Sequence, residues 1–404
     1  MPTDPLIARS MEHLHTLCVE IVSRRVGSPG NQAATCYAAE VLCSFGFRVE
    51  TPAFPCIDWT DGGAIITSGN DAFEARPSPY SLGCQVEAAL ACASTLDELL
   101  ACGAGGRVLL LHGDLAHEPL MPKNFPFYNP DEHRHLIRTL EDLRPAVILS
   151  AAARNPEMVG AAYPYPMFED GDFDLPSAFM TEKEGLRLAK HAGHTIRIES
   201  RCERIPSTGS NVVATKGHAD RRVVVFAHID SRIGTPGAND NASGVTALLL
   251  LAQLLEDYGG STCVELVAMN GEDYYSNPGE QQYLAANAGR FQEIDLGINL
   301  DDVGYLHGAV AYSLYDVDAE LSARVRNAFS DHPGIVEGPT WVQGDHGLFL
   351  INERPALAMT TDRLAEVMAE LTHSPKDTID KVDPAKPAQV AVGLRDLIRD
   401  LASG

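Results

Sequence analysis

Residues 222–230, Arg-Val-Val-Val-Phe-Ala-His-Ile-Asp, decide the fold class because an apolar run ends abruptly in a histidine and a carboxylate. Two further short apolar runs follow at 264–269 and 296–300, and a helical pattern at 242–258 lies between the first two runs. Short apolar strands that alternate with helices are typical of a mostly parallel sheet covered by helices on both faces. The pattern therefore predicts an α/β fold.

The composition changes in the first half of the chain, which indicates a second domain. Residues 59–205 are richer in proline, glycine and aromatic clusters, and two short predicted strands flank a predicted helix at 131–143. We predict a smaller α+β domain at 59–205, inserted into a larger discontinuous α/β domain made of 1–58 and 206–404. A length of 404 residues agrees with two domains.

The charge balance excludes two classes of partner. Lys and Arg number 31 against 55 Asp and Glu, which gives a formal net charge of -24. Such a charge repels phosphate backbones and anionic lipid surfaces. The longest apolar stretch, 245–255, is interrupted by Thr246 and Gln253 and is shorter than the roughly 20 residues that a bilayer requires. We expect no nucleic-acid or membrane partner, and the sequence does not predict the oligomeric state.

The cysteines and the N-terminal region predict the compartment. The nine cysteines are scattered and never spaced as Cys-x-x-Cys, which is typical of reduced thiols and argues against a thiolate metal site. Arg9 and Glu12 interrupt the apolar run that a signal peptide needs. We therefore expect a cytoplasmic protein.

Each of the three predicted strands at 222–227, 264–269 and 296–300 is followed by side chains that can bind metals. In addition, Asp240 lies in the turn Gly237–Gly244, at the beginning of the predicted helix. The carboxyl ends of parallel strands meet at one edge of a sheet, where ligands bind, so these side chains should lie close together. The three strand ends are His228-Ile229-Asp230, Asn270-Gly271-Glu272-Asp273 and Asn299-Leu300-Asp301-Asp302.

Clustered carboxylates indicate a divalent cation. Like charges that lie close together repel one another unless a cation neutralises them. Mixed histidine and carboxylate ligands suit Zn²⁺, and Co²⁺ or Mn²⁺ are plausible substitutes. The sequence therefore predicts a metal site at this edge of the sheet.

The order of these motifs resembles that of the co-catalytic zinc aminopeptidase family, which also contains glutamate carboxypeptidases and glutaminyl cyclases. The shared stretches are H-x-D, G-A-N-D-N-A-S-G, N-G-E-D, N-L-D-D-V-G and H-S-P-K-D-T. The resemblance covers 211–383 well and 20–54 loosely. It implies the zinc exopeptidase fold, phosphorylase/hydrolase-like, and the insert loosely resembles the protease-associated domain that this family often carries.

The resemblance implies two zinc ions per chain. His228 and Asp301 would hold one ion, Asp273 and His373 would hold the other, and Asp240 would bridge the two. Asp273 stands where the family usually has Glu, so its side chain is one methylene shorter.

The resemblance also implies two catalytic carboxylates. Glu272 would be the general base, which takes a proton from a metal-activated water and returns it to the leaving amine. Asp230 would orient the imidazole of His228 from outside the ligand shell. It is two residues away along an extended strand and so lies on the same side of that strand.

Four further side chains are candidates for substrate binding. Gly344-Asp345-His346 resembles the family's S-D-H segment, so His346 could contact the substrate or its oxyanion. Tyr274 and Tyr275 could line the pocket, although tyrosines in such loops are often packing residues. Arg232, between His228 and Asp240, could bind a substrate carboxylate with two hydrogen bonds.

Two aromatic groups of the insert allow two interpretations. The groups at 125–128 and 163–168 could form a lid over the metals, or they could pack in the insert's own core. The sequence leaves both open.

The predicted function is that of a two-zinc exopeptidase, in particular an aminopeptidase that acts on peptides or amino-acid amides. Because Arg232 could bind a substrate carboxylate, a carboxypeptidase or an N-acyl amino acid amidohydrolase is the second enzyme alternative. A one-zinc glutaminyl cyclase is the third. A metal-free binding module is the alternative from another class. It is disfavoured because all five ligand positions keep coordinating side chains and the base position keeps Glu272.

Overall fold

The computed structural model describes residues 4–21, 23–155, 161–217, 220–341 and 344–403. The chain divides into two compact units, one formed by Met1–Cys56 and Thr208–Gly404 and the other by Ile57–Ser207. The unit boundaries at 57 and 207 each differ by two residues from the predicted boundaries at 59 and 205. That the second unit is a protease-associated domain stays a prediction.

The first unit is built on an eight-stranded mixed sheet with a parallel centre. In chain order the strands are β1 (Arg48–Glu50), β2 (Val212–Lys216), β3 (Arg222–His228), β4 (Cys263–Met269), β5 (Ile294–Leu300), β6 (Val310–Tyr315), β7 (Ile335–Glu337) and β8 (Ala356–Thr361). Across the sheet they follow the order β1-β2-β4-β3-β5-β8-β6-β7. The neighbours β4, β3, β5 and β8 run parallel, whereas β1, β2 and β6 pair antiparallel with their neighbours towards the centre.

Helices flank this sheet, and their ends follow from local sequence. In α2, the Ser28 hydroxyl accepts the N–H of Asn31 and Pro29 occupies the first turn, which fixes where the helix begins. The helices of this unit are α1 (Pro5–His15), α2 (Pro29–Ser44), α3 (Gly244–Leu254), α4 (Pro278–Ala286), α5 (Ala319–Phe329), α6 (Gly347–Leu350), α7 (Leu364–Glu370) and α8 (Ala385–Leu401).

Strand β3 has apolar side chains on both faces because a hydrophobic core packs against each face. Val223 and Val225 pack in one core with α3, whereas Val224 and Phe226 pack in a second core with Phe349 of α6. Alternate residues of a strand point to opposite faces, so a continuous apolar run is what a doubly covered strand requires. The predicted α/β class, with a mostly parallel mixed sheet flanked by helices, is confirmed.

The second unit has its own eight-stranded sheet, and its predicted helix at 131–143 forms as Asp131–Leu143. The four strands from Cys84–Ala93 to Ser177–Thr181 run parallel in chain order. The α+β prediction for the insert did not include this parallel centre. The strands are Ala53–Ser68, Asp71–Phe73, Arg76–Pro77, Cys84–Ala93, Val108–Leu111, Val147–Ala152, Ser177–Thr181 and Thr195–Ser210, and the other helices are Leu96–Ala101 and Glu182–Ala189.

The two aromatic groups of the second unit differ in burial. Met167 and Phe168 are buried and belong to one of this unit's own cores, whereas the Tyr128 side chain is exposed. The group at 163–168 therefore contributes to the core of the insert. Among the described residues, no helix combines the length and the apolarity needed to cross a lipid bilayer.

Candidate metal centre

The first group of candidate ligands lies where β3 and β5 end. His228 is the last residue of β3 and is buried. Its Nε2 atom lies 3.2 Å from Oδ1 of Asp240 and 3.5 Å from Oδ1 of Asp301. Asp301 directly follows β5, the parallel neighbour of β3, so the topology places both side chains at one edge of the sheet. The ligand atoms of the three residues lie within 4.8 Å of one another.

The second group joins the loop after β4 to the segment after α7. The Nε2 atom of His373 lies 3.0 Å from Oδ1 of Asp273 and 3.4 Å from Oδ2 of Asp240. Asp240 therefore presents Oδ1 to His228 and Oδ2 to His373. One carboxylate with an oxygen in each group has the geometry of a bridging ligand.

A buried carboxylate holds Asp240 in place. The backbone N–H groups of Asn239 and Asp240 donate to the two carboxylate oxygens of Asp377, at 2.9 and 3.0 Å. On the other side, the Asn241 amide donates to the carbonyl of Leu300 at 2.7 Å. The backbone between α3 and the preceding turn is non-helical at Asp240, and the peptide bond from Asp240 to Asn241 is cis.

Asp230 is buried and organises the loop that carries Glu272 and Asp273. Its two carboxylate oxygens accept the N–H groups of Gly271 at 2.8 Å and of Asp273 at 3.1 Å. Its Oδ1 lies 3.8 Å from Nδ1 of His228, which is longer than a hydrogen bond. In this structure Asp230 therefore positions the second group through the backbone, and it faces the imidazole that it was predicted to orient.

The chemistry of the buried atoms fits a divalent cation. Within the described part of the chain, both ring nitrogens of His228, both carboxylate oxygens of Asp273 and Oδ1 of Asp301 are buried without a hydrogen bond of normal geometry. Leaving such atoms unpaired costs free energy, so buried polar groups normally have partners. Each group offers one histidine and two carboxylates, which is a donor set that zinc accepts.

The pKa values show how strongly the negative charges interact. Burial alone would lower the pKa of His228, but the carboxylates of Asp240 and Asp301 raise it well above 6.5. Burial alone would raise the pKa of Asp273, yet His373 lowers it below 3.8. Without a cation, the histidines therefore supply the positive charge that the carboxylates require.

Glu272 lies between the two groups and is partly buried. Together with His228 and Asp273 it forms a third set of side chains whose ligand atoms lie within 4.8 Å of one another. Burial raises the pKa of Glu272 well above 4.5, and the neighbouring carboxylates of Asp273 and Asp345 add to this effect. A carboxylate in such surroundings holds a proton more readily than one in water, which suits a group that accepts and returns protons.

The predicted substrate-binding residues lie in different surroundings. Arg232 is beside the second group, with Nη1 3.0 Å from Nδ1 of His373. His346 is buried in an aromatic cluster, with its ring centroid 4.5 Å from that of Tyr315 and 5.2 Å from that of Trp341. It belongs to none of the three ligand sets.

The two adjacent tyrosines differ in exposure. Tyr274 is buried, Tyr275 is partly buried, and their ring centroids are 4.5 Å apart. Both follow Asp273 directly in the loop after β4. Substrate contact by Tyr274 and Tyr275 stays a prediction.

Sequence reasoning missed two buried carboxylates, Asp377 and Glu280. Asp377 lies inside the quoted stretch H-S-P-K-D-T, and that position was the available signal for it. Glu280 is buried in α4 beside Asp345, and burial raises its pKa to about 7. Neither residue shows its role in composition or spacing, because each role depends on a contact between distant segments.

Comparisons with known proteins identify the family. The model of peptidase family M28 matches residues 211–398, which include all five candidate ligands. YfbL of Escherichia coli, an uncharacterized protein, is 30% identical over 238 residues, which cover 48% of this chain and 72% of that protein. The chain belongs to peptidase family M28. This confirms the resemblance inferred from the motifs at the strand ends.

The M28 chain is also similar to a probable lipoprotein aminopeptidase of Mycobacterium tuberculosis, with 24% identity over 333 residues. The match covers 80% of this chain and 62% of that protein, so the chain spans less than two thirds of that relative. A zinc aminopeptidase structure from Bacillus subtilis superimposes with a TM-score of 0.75 at 16% identity, covering 98% of this chain and 94% of that one. At this identity the similarity shows the fold.

Proposed function

We propose that this M28 chain is a two-zinc aminopeptidase that releases N-terminal residues from peptides or amino-acid amides. The observation that carries the proposal is the position of Asp240, which presents one carboxylate oxygen to each of two ligand groups. The aminopeptidases among the similar proteins support the same activity. The cytoplasmic location stays a prediction.

The residues of the two groups would hold the ions. His228 and Asp301 would bind one ion, Asp273 and His373 the other, and Asp240 both. Zinc bound there would activate a water molecule and stabilise the oxyanion that forms when the peptide carbonyl is attacked. Cobalt or manganese would serve as substitutes.

Glu272 would be the proton carrier of the reaction. It would accept a proton from the attacking water and donate it to the leaving amine nitrogen, so that the proton count of hydrolysis balances. Such transfer contributes typically about 10² to 10⁴ in rate. Its place among His228 and Asp273, with a pKa above that of an ordinary glutamate, supports this role.

The open side of the centre would receive the substrate. The side chains of Asp301 and His373 are 23% and 34% exposed, whereas those of Asp240 and Asp273 are 8% and 1% exposed. Asp301 is thus the ligand carboxylate nearest to solvent. We infer that it faces the free α-ammonium group of a substrate, which an aminopeptidase must recognise.

A carboxypeptidase or N-acyl amino acid amidohydrolase is the second candidate. The guanidinium of Arg232 lies 3.0 Å from His373, so a cation that can bind a substrate carboxylate is beside the second group. A one-zinc glutaminyl cyclase has less support, because two ligand groups share Asp240. A metal-free binding module has less support for the same reason.

One peptide in three forms separates these activities. An aminopeptidase should cleave the free and the C-amidated peptide and lose most cleavage of the N-acetylated one. A carboxypeptidase or amidohydrolase should show the opposite sensitivities, and Arg232→Ala should then weaken binding by about 1.5 to 3 kcal/mol. Arg326→Ala, at an exposed ion pair, is the control for loss of a positive charge. Full cleavage of the N-acetylated peptide would reject the aminopeptidase proposal.

A further inference from the structure

Arg24 is a buried arginine, 1% exposed, and it donates hydrogen bonds to four backbone carbonyls. Its Nε donates to Ile229 at 2.8 Å and its Nη2 to Gly237 at 2.7 Å. Its Nη1 donates to Pro236 at 2.8 Å and to Leu17 at 2.7 Å. One guanidinium group thus connects the N-terminal region of the chain to the distant segment 229–237.

Three of these carbonyls lie at the two ends of the loop that connects His228 to Asp240. Ile229 begins this loop, and Gly237 is the first residue of the turn that carries Asp240. Gly237 has a φ of +61°, and a Cβ atom there would lie 2.8 Å from Nη2 of Arg24 and 2.4 Å from the carbonyl of Asp240. The loop is therefore closed tightly around the guanidinium.

Hydrogen bonds of Asn31 connect the segment that contains Arg24 to the loop after β4. The side-chain amide of Asn31 donates to the carbonyl of Arg24 at 2.9 Å and to Oδ1 of Asn270 at 2.5 Å. Asn270 follows β4 and precedes Glu272 and Asp273. The segment that contains Arg24 and Asn31 therefore contacts two of the segments that carry candidate metal ligands. It lies outside the family match at 211–398.

The partners of Arg24 differ from those of the unit's other buried arginine. Arg222 pairs with the carboxylate of Glu265 at 2.7 Å. In the part of the chain that the structure describes, no carboxylate lies within ion-pair distance of Arg24. A buried charge needs compensation, and for Arg24 backbone carbonyls supply it. The guanidinium offers five donors in one plane, whereas a lysine ammonium offers three donors from a single nitrogen, so lysine cannot reproduce the four hydrogen bonds of Arg24.

We propose that Arg24 is a positioning residue for the metal centre. Its hydrogen bonds hold the loop 229–237 so that His228 and Asp240 bind the same ion. The inference rests on the proposed function, because it assumes that the two groups bind zinc. It assigns a role in metal binding to a residue that contacts neither ion nor substrate.

Zinc affinity of Arg24→Lys and of the control Arg222→Lys tests the proposal. Both variants keep a buried positive charge and lose the guanidinium, but Arg222 lies at the opposite end of β3 from His228. Affinity is measured by competition with a chromophoric chelator, below the unfolding temperature of each variant, with circular dichroism to verify folding. Loss of two hydrogen bonds predicts about tenfold weaker binding for Arg24→Lys. Arg222→Lys should lower the unfolding temperature and leave the affinity within about threefold of wild type.

The possible results distinguish the two proposals. Zinc affinity of folded Arg24→Lys equal to that of wild type would overturn the positioning role. Absence of zinc binding by the wild-type protein would instead reject the proposed function.

Hydrogen exchange of the wild-type protein tests the same coupling without an Arg24 variant. Zinc should slow amide exchange in peptides that cover 23–31, because the segment and the metal centre stabilise each other. The Asp240→Ala protein, which should not bind zinc, should show no such change. Equal exchange of 23–31 with and without zinc in wild type would also overturn the proposal.

Discussion

The Nε2 atom of His373 lies 3.0 Å from Oδ1 of Asp273. The family usually has glutamate at the position of Asp273, and the shorter aspartate still reaches its histidine partner. Asp230 accepts the backbone N–H of Asp273 and so holds the loop close to the sheet edge. The aspartate therefore reaches His373 from a loop that Asp230 anchors at the sheet edge.

Metal stoichiometry should depend on which group a substitution removes. Asp240→Ala should reduce the content from about two ions per chain to about zero, because it removes a ligand from both groups, whereas His373→Ala should leave about one. Elemental analysis after dialysis against zinc measures this, with Asp380→Ala at an exposed position as control. Two ions retained by His373→Ala would remove this histidine from the ligand set.

Glu272→Gln should separate catalysis from metal binding. The amide cannot accept the water proton, so turnover should fall by at least about 10², while the metal content stays that of wild type. Steady-state kinetics with a chromogenic amino-acid amide measures the loss, and the exposed Glu370→Gln is the control. Activity within about tenfold of wild type would mean that another group transfers the proton.

Asp377→Asn should weaken zinc binding although Asp377 is not itself a candidate ligand. The amide keeps one oxygen for the two N–H groups of Asn239 and Asp240, so one buried donor loses its acceptor. An unsatisfied buried donor costs about 1 to 3 kcal/mol, which predicts roughly tenfold weaker zinc binding or more. Chelator competition measures the affinity. Asp380→Asn should bind zinc as wild type does, and equal affinities for both variants would contradict the role of Asp377.

The metal-free protein should lose stability as the pH rises from 4.5 to 7. Burial raises the pKa of Glu280 from 4.5 to about 7, so the folded state keeps a proton that the unfolded chain has already released. The stabilisation by this proton is complete below pH 4.5 and is lost as the pH rises through 7. Urea unfolding of the chelator-treated protein at pH 5 and 7.5 measures the loss. In Glu280→Gln, the free energy of unfolding lost between pH 5 and 7.5 should be smaller by up to about 3 kcal/mol. The same loss as in wild type would contradict the raised pKa of Glu280.

The sequence predicted the parallel centre of the sheet because its strands are continuous apolar runs. The runs at 222–227, 264–269 and 296–300 form β3, β4 and β5. The helix predicted at 242–258 is shorter, Gly244–Leu254. Its first two predicted residues, Ala242 and Ser243, belong instead to the π-helical segment Ala238–Ser243, which is kinked at Asp240 and Asn241.

The contacts between distant segments could not be predicted. The motifs and the family resemblance supplied the five candidate ligands, which the structure brings into two groups. The hydrogen bond from Arg24 to Ile229 spans 205 residues, and nothing in the local sequence of either residue indicates it. Asp377 was visible only as one letter of a motif, because its role lies in accepting two backbone N–H groups of a remote turn.

Anomalous scattering from a crystal of the zinc-loaded protein locates the bound ions and so tests the two-metal centre. We expect two peaks in each chain, each in contact with Asp240. One peak should also contact His228 and Asp301, and the other Asp273 and His373. A single peak, or two peaks that do not share Asp240, would contradict the two-metal centre.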